Sequence, residues 1–263
     1  MDEEIQEYKK TLDLNSNDAL AHYNLGIAYG KQGKLDEEIQ EYKKALDVNP
    51  NYALAHFNLG LALDKQGRLD DAIEEFKKSL NINPKFAEAH YELGTGYGKQ
   101  EKLDEEIQEY KKVLALNPNY APVHFGLGNV YGKQGKLDEE IQEYEKVLDI
   151  NPNYVPAHCN LGIAYDKQGK LDVAVDEYKK ALGVDPNYAP ARANLEIAYK
   201  KSPQSKLKLI LDTNQIDCPI KRNGPFPCPR CAYCVKTSKR EAFLNITTWW
   251  YCQFPNQDKY VTD

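Results

Sequence analysis

All five histidines of this 263-residue chain, His22, His56, His90, His124 and His158, stand 34 residues apart. Imidazole is suited to acid–base catalysis and to metal binding, so a regular row of it raises the question of a metal ladder. The spacing argues against one. Metal donors must converge to within about 2 Å of one ion, whereas equivalent atoms of neighbouring helical units stand a helix-packing distance of roughly 8–10 Å or more apart. No Ser, Cys or Asp is placed near them as a nucleophile would need. The row is therefore predicted to be structural, with flat rings packed between helices. Exchange of one for Trp or Phe should cost less than about 1.5 kcal/mol, as for a tolerated core swap. No catalytic residue is expected, and the chain is not predicted to be an enzyme.

The second group with chemical potential lies near the other end. Cys228, Cys231 and Cys234 form Cys-x2-Cys-x2-Cys, flanked by Cys218 and Cys252. Such spacing lets thiolates meet one ion from a tight turn, and a short segment with little core often needs a staple of this kind. Four of the five could close a tetrahedral zinc site. An iron–sulfur cluster is the next reading, although the Cys-Pro that usually follows is absent. Disulfides, with Asn245-Ile246-Thr247 as a glycosylation acceptor, or free thiols, are the remaining ones. Charge separates this segment from the rest: residues 1–201 carry 25 basic and 35 acidic side chains, residues 202–263 carry 9 and 5. With Lys236, Lys239, Arg240, Trp249 and Trp250 the tail has a basic and aromatic character, but too little net charge to predict nucleic-acid binding.

The histidine spacing is the period of the whole first part. Shifted by 34, the sequence aligns with itself over 19–52, 53–86, 87–120, 121–154 and 155–188. Counting places from Ala19, the seventh is always Leu, the eighth Gly, the twenty-fourth Tyr or Phe and the thirty-second Pro. Leu25 and Tyr29, like Tyr42 and Leu46, are four apart and give each unit two apolar helical stripes. Gly33 stops the first helix, Asp36-Glu37-Glu38 suits the start of the second, and Asn49-Pro50 ends it. Gly26 lacks a side chain where the two helices must approach. One such pair cannot bury its stripe, but stacked pairs share a continuous core.

This pattern over residues 2–201 resembles the tetratricopeptide repeat. The resemblance implies an all-α, right-handed superhelix, with a small Cys-rich C-terminal appendix as the part it does not cover. Residues 1–18 supply only a second helix, residues 19–188 five full units, and residues 189–201 a first helix that caps the stack, with Glu196 in place of the close-approach glycine. The family usually has Ala at the twentieth place, as in Ala72 and Ala174; Glu38, Glu106 and Glu140 replace it here. Because a buried unpaired carboxylate is costly, their stems are expected to lie along the surface with the carboxylates in water.

The resemblance further implies that the first helices line a concave groove and that partners are held by side chains at a few of their places. At the sixth place stand Asn24, Asn58, Glu92, Gly126, Asn160 and Asn194; at the fifth Tyr23, Phe57, Tyr91, Phe125 and Cys159; at the thirteenth Lys31, Lys65, Lys99, Lys133, Lys167 and Lys201. An amide donates and accepts at once and so can pair with a peptide bond whatever its side chain. Asn24, Asn58, Asn160 and Asn194, with Tyr23, Phe57, Tyr91 and Phe125 beside them, are the expected peptide-binding residues. The column resembles the asparagine ladder of O-linked N-acetylglucosamine transferase. The aromatic fifth place speaks against a clamp for chaperone C-termini, which has Lys there. The lysine row is read as satisfying helix dipoles, or else as ligand contacts. These amides are expected to face solvent when no partner is bound, and Gly126→Asn to be neutral or mildly favourable. The expected partner is another protein in extended form. With 41% hydrophobic residues and no run of about 18 apolar ones, no membrane span is predicted, and a cytoplasmic location is the expectation.

Overall fold

A computed structural model describes residues 2–201, and these form twelve α-helices. They are α1 Asp2–Leu14, α2 Ala19–Lys31, α3 Leu35–Val48, α4 Ala53–Lys65, α5 Leu69–Ile82, α6 Ala87–Lys99, α7 Leu103–Leu116, α8 Ala121–Lys133, α9 Leu137–Ile150, α10 Val155–Lys167, α11 Leu171–Val184 and α12 Ala189–Lys201. Each full unit is one antiparallel pair, α2–α3 through α10–α11. The even-numbered helices form one layer of the right-handed superhelix and the odd-numbered ones the other.

Turn chemistry sets the lengths. Between the two helices of a unit the fifteenth place is left-handed, and Gly33, Gly67, Gly135 and Gly169 take φ between +73° and +82° without penalty. Unit 3 has Glu101 there at φ +60°. Between units the Asn of Asn-Pro turns back on the chain: Asn49 Oδ1 accepts from the Asn51 amide at 3.1 Å.

The core runs along the seam between the layers. The leucine of the seventh place and the ring of the twenty-fourth are buried in every full unit. The eighth-place glycine is what lets that ring in. A Cβ on Gly26, Gly60, Gly94, Gly128 or Gly162 would stand 2.5–2.8 Å from the ring of Tyr42, Phe76, Tyr110, Tyr144 or Tyr178. Neighbouring units share their buried residues, as where Ile39 and Tyr42 of the first join Leu59, Ile73 and Phe76 of the second in one cluster. This sharing is why no unit is stable alone.

Candidate functional site

The histidines prove to be hydrogen-bonded junctions. All five are buried. His22, His56, His90, His124 and His158 place Nδ1 at 2.6–2.7 Å from Glu41, Glu75, Glu109, Glu143 and Glu177, 19 residues later on the second helix of the same unit. Each Nε2 faces the carbonyl of the preceding turn, from 3.2 Å at Ser16 to 2.9 Å at Pro152. One ring thus ties together the end of one unit and both helices of the next. Both ring nitrogens therefore have a polar partner. At the same place of α12 stands Arg192, which donates to the Pro186 carbonyl at 2.6 Å. The glutamates are also paired with exposed lysines, for example Glu109 with Lys112 at 2.7 Å. The row is structural, but as a polar staple and not merely as packed rings. Removing an imidazole strands a buried carboxylate, which raises the expected cost of His90→Phe well above that of a core swap.

The lysine row is also accounted for. Lys31, Lys99 and Lys201 reach Glu4, Asp64 and Asp166 of the preceding unit at 3.7, 2.6 and 2.6 Å. Lys167 lies 3.7 Å from Glu140, and Lys65 and Lys133 act electrostatically on Glu38 and Glu106. Six cations therefore face six carboxylates across successive units.

Those carboxylates come from two places. In units 1, 3 and 4 the twelfth place is Gly30, Gly98 or Gly132 and the twentieth is Glu38, Glu106 or Glu140. In units 2 and 5 the twelfth is Asp64 or Asp166 and the twentieth is Ala72 or Ala174. The expectation that the three glutamates lie at the surface is wrong: all are buried. The glycine of the facing helix makes the room, since a Cβ on Gly98 would stand 2.6 Å from Glu106 Cδ. Glu106 Oε2 has no hydrogen bond among the described residues. Burial raises the pKa of all three, opposed by the neighbouring lysine.

On the same helical face the structure brings together the predicted binding residues. Asn24, Asn58, Asn160 and Asn194 are half-buried, not fully in solvent. Asn58 donates to the Tyr23 hydroxyl at 2.9 Å, Asn160 to Asn129 Oδ1 at 3.1 Å, and Asn194 lies 3.7 Å from Cys159 Sγ. The side-chain oxygens of Asn24, Asn58, Asn160 and Asn194 have no donor among the described residues. Tyr23, Phe57, Tyr91 and Phe125 are also half-buried, each packed against the ring of the twenty-fourth place and that of Tyr52, Phe86, Tyr120 or Tyr154 at centroid distances of 4.7–5.9 Å. They wall the face and brace its joints. Gly126 is not an empty place in the column, because a Cβ there would stand 2.7 Å from the buried Tyr110 ring. Gly126→Asn would displace a core side chain, and the expectation of neutrality falls.

Sequence reasoning missed the ninth place. It is apolar at Ile27, Leu61, Ile163 and Ile197 but polar at Thr95 and Asn129 in the middle of the stack. There two second-helix phenols come through to the face: Tyr110 meets Thr95 Oγ1 at 3.2 Å, and Tyr144 donates to Asn129 Oδ1 at 2.7 Å. A row comparison of that place alone would have shown the change.

Cys218, Cys228, Cys231, Cys234 and Cys252, and with them the zinc and iron–sulfur readings, lie outside the described residues. Among the described residues no group of His, Cys, Asp and Glu could hold a metal ion, and no helix is long and apolar enough to cross a membrane.

A row of stacked helix pairs with one continuous seam defines an α-solenoid. Sequence profiles of the repeat agree with its period: one described as "TPR repeat" matches residues 2–33, 31–67, 65–101, 97–135 and 133–169, and one described as "Tetratricopeptide repeat" matches residues 155–188. The chain belongs to the tetratricopeptide-repeat family, whose repeats are scaffolds typical of protein–protein interaction. No curated protein matches it. Among solved structures it is similar to YrrB, described as a TPR protein with an unusual peptide-binding site, at 23% identity and a TM-score of 0.65 over 72% of this chain and 97% of that one. It is also similar to MamA, at 34% identity and a TM-score of 0.60 over 63% of this chain and 96% of that one. MamA of Desulfovibrio magneticus RS-1 shares 21% identity at a TM-score of 0.61, over 65% of this chain and 97% of that one.

Proposed function

We propose that the layer of first helices is a groove that holds an extended segment of another protein mainly by its backbone. The observation that carries this reading is the column Asn24, Asn58, Asn160 and Asn194, with half-exposed amides on one face whose carbonyl oxygens have no donor among the described residues. A peptide N–H can fill each, and Tyr23, Phe57, Tyr91 and Phe125 give flat apolar area beside them. One amide–peptide pair contributes roughly 0.5–1.5 kcal/mol net, so a single Asn→Ala should weaken binding several-fold. The test uses a partner found by pulldown with the whole chain, measured by calorimetry. Asn24→Ala with Asn58→Ala should weaken it by about tenfold or more at an unchanged helix signal. Intact affinity in that variant, with loss on charge reversal of Lys43 and Lys44 on the second helices, would place binding on the outer layer instead.

A second role is supported by the Cys-x2-Cys-x2-Cys spacing in the basic tail. We infer zinc binding there through Cys228, Cys231 and two of Cys218, Cys234 and Cys252, so that the repeats deliver a metal-bearing segment. Elemental analysis of the full chain should find about one zinc, lost in Cys228→Ser. A metal-free protein would exclude it, and visible absorption would replace zinc by an iron–sulfur cluster.

A further inference from the structure

Charge matching along the groove singles out one residue. Six thirteenth-place lysines face six carboxylates of the units before them. Glu92, at the sixth place of α6, is a further carboxylate on this face with no lysine of its own. Lys99, the cation that acts on it electrostatically, is already held by Asp64 at 2.6 Å. Glu92 is half-buried, with no hydrogen bond or ion pair among the described residues. Its pKa is raised, first by burial and then by Asp64, with Lys99 opposing. A carboxylate so placed is stabilised by any cation brought into the groove. It stands where units 1, 2 and 5 and the capping helix place Asn24, Asn58, Asn160 and Asn194, so the departure is local.

Its surroundings fit one kind of side chain. Glu92 lies with Thr95 and Asn129 in the polar middle of the stack. On either side the ninth place returns to aliphatic: Ile27 and Leu61 toward one end, Ile163 and Ile197 toward the other. We propose that the groove selects an extended protein segment carrying a Lys or Arg opposite Glu92, flanked on both sides by aliphatic residues. This rests on the groove reading above and specifies the partner it takes.

The test uses fluorescein-labelled peptides with aliphatic residues on both sides of one central Lys, and matched peptides with norleucine or Glu at that place. Anisotropy with the full chain should rank Lys above norleucine by about tenfold, as for a hydrogen bond to a charged group, and norleucine above Glu. In Glu92→Gln, and in Glu92→Asn, which copies the residue of units 1, 2 and 5, the Lys and norleucine peptides should bind alike while norleucine affinity is unchanged. Equal binding to the wild type, or a Lys preference that survives both substitutions, overturns the inference. If the peptides bind without preference and Asn24→Ala with Asn58→Ala weakens them, the groove reading stands and only this inference fails. If none binds, both fail.

Discussion

Units 2 and 3 are built on the same helix pair, yet they supply the carboxylate that faces the next unit's lysine from opposite helices. Unit 2 uses Asp64 on its first helix and keeps a small Ala72 across the seam. Unit 3 uses Glu106 on its second helix and keeps Gly98 where Asp64 would stand. The charge is delivered to much the same neighbourhood, to Lys99 in one case at 2.6 Å and to Lys133 in the other. The packing differs: Asp64 is half-buried on the groove face, whereas Glu106 is buried. What the stack requires is one carboxylate per joint, not a residue type at a fixed place. A single substitution that imports one unit's solution into the other leaves two carboxylates or none.

The largest effect expected is at a feature the two units share. His56→Phe and His90→Phe should each cost about 3 kcal/mol in urea unfolding, because each leaves a glutamate, half-buried Glu75 or buried Glu109, without its nearest donor. The costs should agree, since Glu75 and Glu109 are held at the same 2.6 Å. A large difference would mean that the two joints are not equivalent and would weaken the comparison.

Next in size is the exchange itself. Gly98→Asp alone should destabilise by about 2–3 kcal/mol, by overpacking against Glu106 and by crowding like charges. Adding Glu106→Ala copies unit 2 and should recover most of the loss. A double-mutant cycle should thus show a coupling of about 2 kcal/mol between the places. Additive costs would show that the glycine and the glutamate are not a pair.

A smaller effect separates the units by pH. Glu38, Glu106 and Glu140 have folded pKa values raised above the ordinary 4.5 by burial. The folded state therefore binds protons that the unfolded state has already released. These residues cost stability at neutral pH, and the cost fades as pH falls from the raised values toward the ordinary one. Replacing all three by Gln should raise the melting temperature at pH 7, and the gain over wild type should shrink by pH 4.5. A gain that is constant with pH would mean that these carboxylates are as well solvated folded as unfolded.

The smallest concerns the turn of unit 3. Glu101 holds the left-handed conformation at φ +60° that glycine takes in the other four units. Glu101→Gly should add about 0.5–1 kcal/mol of stability, read as a higher melting temperature. Gly67→Glu in unit 2 should lose a similar amount.

The sequence by itself determined the fold. A period of 34 with invariant Leu, Gly, aromatic and Pro places leaves one way to bury two apolar stripes per unit, and the helices follow it within a residue or two. It also indicated which helical face carries Asn24, Asn58, Asn160 and Asn194, because places repeat when units repeat. Only the tertiary structure decided what touches what across the seam. The histidines looked like packing rings until Glu41 and its equivalents, 19 residues on, came within 2.6 Å of them. Glu38, Glu106 and Glu140 seemed too polar to bury until Gly30, Gly98 and Gly132 opened space on the facing helix. Glu92 became distinctive once each lysine of the row had been matched to another carboxylate. Each of these depends on distances between helices that a one-dimensional pattern does not hold. Periodicity fixes which face is apolar, but the partner of a polar side chain is set by where the neighbouring helix brings its own.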